Sequence, residues 1–169
     1  MLTLTTPDFE NGGWIPDKNS GYGEDRSPEF HIEGIDPKTE TMILALDDLG
    51  HPVKPGYHHW IAWNVAPVER IPGGIPKGSI IEEQIHIEQG AAYGTHCYRG
   101  PKPPFNWKHE YRFTLYTLDC VLQADATARK ADILRLAEGH ILQEAELRGY
   151  YQRRHGRRHL NLPPQERMK

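Results

Sequence analysis

Residues 45 to 65, ALDDLGHPVKPGYHHWIAWNV, leave this chain few folds to choose from. An apolar run beginning at Thr41 ends in Asp47 and Asp48, a Pro/Gly-rich loop follows, and a His- and Trp-rich run leads away. Side chains on a strand alternate between its two faces, so face membership can be read from parity. Met42, Leu44, Leu46 and Asp48 share one face of the first run; His59, Ile61, Trp63 and Val65 share one face of the second. Paired as neighbours, the two strands set Asp48 and His59 at the same end, each capping an apolar face. That is a plan for a small-ligand pocket.

A third stretch, YRGPKPPFNWKHEYRFTLYTLD at 98 to 119, joins them. Tyr111, Phe113 and Leu115 occupy one face of the strand it ends in, and His109 has the same parity. Pro103-Pro104 just ahead cannot be helical and favours a stiff, extended backbone. Asp48, His59, His109 and Tyr111 are expected to converge at one end of a sandwich, with Pro104 in the loop beside them.

The remaining chain reads as β structure first and helix last. Sixteen glycines and fourteen prolines suit a loop-rich β protein better than a helical bundle. Leu2 to Thr6, the piece opening at Ile15, Phe30 to Ile32, Thr41 to Leu46, Ile80 to Glu88 and Arg112 to Val121 are expected to be extended. Asp17 to Ser27 and Pro72 to Gly78 are expected loops. The strand from Arg112 is apolar on both faces and belongs inside a sheet covered on both sides. Thr127 to Glu138 carries apolar residues at helical spacing. His140 to Leu147, with Ile141, Leu142 and Ala145, is expected to resume the helix after Gly139 and to stop at Gly149. The fold class expected is mainly β, a two-sheet antiparallel sandwich with short C-terminal helices.

A chain of 169 residues with no low-complexity linker fits one domain, expected over 1–153, followed by a basic tail at 154–169. The net charge of −3 supplies no field that would recruit nucleic acid or an anionic membrane. The first ten residues lack the basic and apolar regions of a secretion signal, and no run reaches membrane-spanning length. A cytoplasmic protein without integral membrane association is expected. Cys97 and Cys120 are far apart, form no C-x-x-C, and neither sits in a metal-ligand pair, so both are expected to be reduced.

These motifs resemble the phosphatidylethanolamine-binding protein family, also called the Raf kinase inhibitor family, in its compact bacterial form. A loop of the D-P-D-x-P kind corresponds to Asp47-Asp48-Leu49-Gly50-His51-Pro52. The strand opening with His and an aromatic corresponds to His58-His59-Trp60. Gly100-Pro101-Lys102-Pro103-Pro104 matches a G-P-x-P-P loop, and His109-Glu110-Tyr111 matches the strand start after it. Shorter matches run from Phe9 and Gly12-Gly13 to Gly149-Tyr150-Tyr151. Three positions depart from the pattern. Leu49 stands where proline is usual, Gly50 where a second aspartate is usual, and Glu110 where Arg or His is common. The resemblance implies an antiparallel sandwich with a ligand pocket at one end that takes phosphate-like or carboxylate-like groups.

Asp48, His59, Pro104, His109 and Tyr111 are thus the candidate ligand-binding residues, in a non-enzymatic protein that needs no cofactor. Imidazole N–H groups can hold an oxyanion while a carboxylate orients them and favours their charged form. The expected partner is a small anionic ligand, phosphate or a phosphorylated head group. A protein target, a kinase or protease contacted through 49–57 and 99–108, and a homodimer are further partners the reading allows. An alternative is a metal-dependent hydrolase built on Asp48, His59 and His109. His58 has the wrong parity to share a metal with His59, and His86 reads as surface. There is no H-E-x-x-H and no Gly-x-Ser-x-Gly, and Ser27 reads as a structural turn residue.

Overall fold

A computed structural model describes residues 1–51, 56–92 and 94–153. Ten strands, one α-helix and a single 3-10 turn at Asp17–Asn19 are present among them. In chain order the strands and the α-helix are β1 (Thr3–Thr5), β2 (Gly13–Trp14), β3 (Phe30–Glu33), β4 (Thr41–Asp48), β5 (Tyr57–Val65), β6 (Arg70–Ile71), β7 (Ile80–Ile81), β8 (Ile87–Gln89), β9 (Lys108–Leu118), α1 (Lys130–Leu136) and β10 (Ile141–Gln152). A large sheet runs β2-β10-β9-β4-β5-β8-β7, and a small one runs β1-β3-β6. All pairings are antiparallel except the short parallel contact of β2 with β10.

All eight residues of β4 are buried, because the strand lies mid-sheet with a core on each face. On one face Met42, Leu44 and Leu46 join Phe113, Leu115, Phe30, Ile32 and Ile71 between the two sheets. On the other, Ile43 and Ala45 join Ile61, Trp63, Leu118, Ile133 and Ala137 under α1. Burying apolar surface on both sides of one sheet is the main stabilising contribution to the fold.

The parity of β5 differs from the simple alternation. Leu46 faces Trp60 and Asp47 faces His58, so His59 is an extra residue, a β-bulge. A second irregularity falls between Leu44↔Ala62 and Met42↔Val65, where Asn64 has φ +48°. Asn64 tolerates that left-handed backbone, and its side chain clamps both backbone groups of Leu122, at 2.9 and 2.8 Å. Ile61 and Trp63 therefore turn to the α1 face, away from His59, while Trp60 and Ala62 enter the core between the sheets.

Among the described residues, the C-terminal region holds one helix, not two. α1 covers only Lys130–Leu136, and the stretch expected to continue it is β10. Ala145, Leu147, Gly149 and Tyr151 face inward and alternate with Glu144, Glu146, Arg148 and Tyr150. Over so short a run this period of two competes with the helical spacing, and pairing along nearly all of β9 decides it. Gly149 is therefore mid-strand, opposite Tyr111, and terminates nothing.

Candidate functional site

One rung of the large sheet organises the site. Asp48 at the end of β4 pairs with Tyr57 of β5 on one side and Tyr111 of β9 on the other. His109 lies two residues before Tyr111 on the same face. The bulge brings His59 to that face as well. Asp48, His59, His109 and Tyr111 are all buried, at the end of the inter-sheet core that Phe113 and Leu115 fill below them.

The two adjacent aspartates serve opposite faces. Asp47 meets the Lys130 ammonium, the His58 ring and, at 3.5 Å, Arg112. Burial alone would push its carboxyl up, but the hydrogen bonds from His58 and Lys130 outweigh that and hold it below the ordinary carboxylate range. Asp48 accepts the His109 Nδ1–H at 2.8 Å through Oδ2 and the Gly50 N–H at 2.9 Å through Oδ1. His59 Nε2 stands 3.9 Å from the same Oδ2. Its Nδ1 donates to the Arg99 carbonyl at 2.9 Å; a carbonyl only accepts, which assigns the Nδ1–H. Burial holds the His59 imidazole below its usual pKa, opposed in part by the Arg99 carbonyl and the Asp48 carboxylate. Tyr57 and Tyr111 approach that ring edge-on, with centroids at 5.9 and 5.6 Å.

Sequence reasoning missed a second layer. His59 also lines a concavity of about 330 Å³ with Gly21, Asp25, Arg99, Gly100 and Lys102. Its far wall is the 17–26 segment, a single 3-10 turn followed by loop, docked onto 98–103. Tyr98 Oη donates to the Asn19 carbonyl (2.7 Å), Gly21 N to Pro101 O (2.8 Å), Tyr22 Oη to Pro103 O (2.6 Å), and Gly100 N to Asp25 Oδ1 (2.6 Å). A Cβ on Gly100 would come within 2.0 Å of the Asn19 carbonyl oxygen, so only glycine permits this docking. The Gly-Pro-x-Pro-Pro loop was visible in the sequence; its partner some 75 residues earlier carried no periodic signal.

Other candidates fall elsewhere. Pro104 is exposed, and its carbonyl closes a turn to Trp107 N at 3.3 Å, while the buried proline of the pair is Pro103. Phe105 and Trp107 project from that loop, 73% and 47% exposed. Ser27 is structural: its hydroxyl accepts the Ile75 N–H at 2.9 Å. His86 is a surface residue beside Glu82 and Glu88. Asp48, His59 and His109 cannot offer three donor atoms all within 4.8 Å of one another. Among the described residues only Asp119, Cys120 and His140 do so. The metal-hydrolase alternative therefore lacks a preformed triad.

Two β-sheets with a buried polar cluster, Asp48, His59, His109 and Tyr111, at one end of the core between them define the fold and the candidate site. The chain is a member of the phosphatidylethanolamine-binding protein family, whose model matches residues 5–152. It is 39% identical over 145 residues to a UPF0098 protein of Archaeoglobus fulgidus and 40% identical over 148 residues to one of Pyrococcus abyssi. The alignments cover 86% of this chain in both cases, but 49% of the first relative and 83% of the second, so the chain spans about half the length of the Archaeoglobus protein. The crystal structure of a phosphatidylethanolamine-binding protein homolog from Chlamydia trachomatis superposes with a TM-score of 0.80 at 31% identity, covering 90% of this chain and 98% of that one. Family membership supports a non-catalytic, binding-type protein. No helix among the described residues is long and apolar enough to cross a membrane.

Proposed function

We propose that the polar cluster of Asp48, His59, His109 and Tyr111, reached through the concavity beside His59, binds a small anion, phosphate or a phosphorylated head group, without turning it over. One observation carries the reading. Two buried imidazoles share the Asp48 carboxylate, and one of them, His59, opens on a concavity flanked by the cationic Arg99 and Lys102. The carboxylate is itself occupied by Gly50 N–H and His109, so it orients the imidazoles while repelling an incoming anion less than a bare carboxylate would. Calorimetric titration of inorganic phosphate tests this. Asp48→Asn and His59→Ala should each weaken binding by about tenfold, the worth of one charge-assisted hydrogen bond. Unchanged affinity in His59→Ala overturns the assignment.

Exposed Phe105 and Trp107 favour a second, compatible reading, in which loop 99–108 contacts a protein target such as a kinase or protease. The other expected contact loop, 49–57, lies partly outside the described residues. Binding to a panel of purified kinases and proteases, with Phe105→Ala/Trp107→Ala as the control, tests it.

A further inference from the structure

The opposite end of β9 holds a cluster that the anion reading does not use. The register sets Leu118 at the end of β9 against Ile141 at the start of β10. The residues just beyond, Asp119 and Cys120 on one side and His140 on the other, are thereby brought together from positions twenty residues apart. His140 Nδ1 lies 2.8 Å from Asp119 Oδ1. One donor atom from each of Asp119, Cys120 and His140 lies within 4.8 Å of the other two.

The backbone beneath them is fixed. Asp119 N–H donates to the His140 carbonyl at 3.1 Å and His140 N–H to the Ala137 carbonyl at 2.9 Å. The buried Thr41 hydroxyl donates to the Cys120 carbonyl at 2.6 Å, tying the start of β4 to the same corner. The side chains above stay within reach of solvent, with Asp119 and His140 exposed and Cys120 half-buried. Glu40 lies close enough to act on Cys120 electrostatically, so a second carboxylate adds negative charge to the corner.

We propose that Asp119, Cys120 and His140 form a site for a divalent cation of the zinc class, with three protein ligands and a fourth position open to solvent. The donor set decides the class. One sulfur, one imidazole nitrogen and one carboxylate oxygen suit zinc and its borderline neighbours. Calcium and magnesium take shells of oxygen instead. The present Asp119–His140 contact is a hydrogen bond, and the metal takes the place of its proton. On binding, the Cys120 thiol releases its proton to solvent, and neutral His140 turns its remaining N–H to Nε2. Forming the shell requires the exposed Asp119 and His140 side chains to turn toward the half-buried Cys120, closing donor separations now within 4.8 Å.

Cobalt(II) is the probe, because it takes zinc sites and a thiolate ligand gives it a near-ultraviolet charge-transfer band. Full-length, reduced, metal-free protein is titrated with it. The expected result is one ion per chain with that band, displaced by zinc. Cys120→Ser should abolish the band, and His140→Ala should weaken binding by at least tenfold. Zinc should raise the Tm of the wild type and leave that of Cys120→Ser unchanged. His155 and His159 in the basic tail can bind cobalt but contain no sulfur, so they cannot produce the band. Absence of the band in the wild type, or its survival in Cys120→Ser, overturns the site. If a variant folds poorly, alkylation of Cys120 in the wild-type protein makes the same comparison, and an unchanged band after alkylation overturns it equally.

Discussion

Asp47 and Asp48 show how little separation a strand needs to divide two jobs. Their side chains leave β4 on opposite faces. One is enclosed by Lys130, His58 and Arg112, the other by His109, His59 and the Gly50 amide. The His59 environment sets a pH response. Because burial holds its pKa below the ordinary 6.5, the unfolded chain binds more protons than the folded one between those two values. Its contribution to stability is complete above about pH 6.5 and is lost as pH falls toward the folded pKa. An anion bound beside His59, as proposed, would supply the missing counter-charge and favour imidazolium, so affinity should rise over that same window. Sulfate, whose charge does not change there, should raise the Tm more at mildly acidic than at mildly alkaline pH. In His59→Ala that difference should vanish. Gly50 belongs to the same scale. A Cβ there would sit 2.9 Å from His109 Cα and 3.0 Å from its Cβ and Cγ, too close without moving the imidazole. Gly50→Ala should cost about 1–3 kcal/mol, as overpacking does. It should also shift the His109 ring resonances, and unchanged resonances would show that the contact is slack. Asp48, His109 and Tyr111 were legible in the sequence because β4 and β9 alternate regularly. His59 was legible by residue type only: simple parity grouped it with Ile61 and Trp63, and a bulge reversed that grouping. Asp25 and Arg99 were not legible, since hydrogen bonds between distant loops leave no period.

At the scale of elements, the sheet core could be read and its corners could not. β4, β5 and β9 carry enough apolar residues to declare themselves, whereas α1 and β10 share a stretch in which both periods fit. What holds α1 on the sheet is partly apolar, through Ile133 and Ala137, and partly ionic, through Lys130 reaching Asp47. Lys130→Met keeps the stem of the side chain but removes the charge. Asp47, fully buried, would be left with His58 and Arg112 alone. A loss of about 3 kcal/mol in urea unfolding is expected, since removing one partner of a buried pair leaves an under-compensated charge. The pair Asp47→Asn/Lys130→Met should recover part of that loss. No recovery would mean that Lys130 acts by packing alone.

Across the whole molecule, the two sheets and the loops at one end form a continuous unit up to β10. The basic residues after Arg153 lie outside the described residues, and they show no periodic apolar pattern in the sequence. Removing 155–169 should therefore leave the Tm within about 3 °C, as expected when no buried contact is lost. A larger drop would place the tail against the core or a second copy. The tryptophans add an optical consequence. Trp14, Trp60 and Trp63 are at most 5% exposed, and Trp107 alone stands half out of the surface, on the loop that borders the concavity. The emission of this protein is thus two superimposed signals. Three rings report whether the core is intact. A water-soluble quencher reads the fourth, and anything that settles over that loop should announce itself by shielding Trp107, without a label.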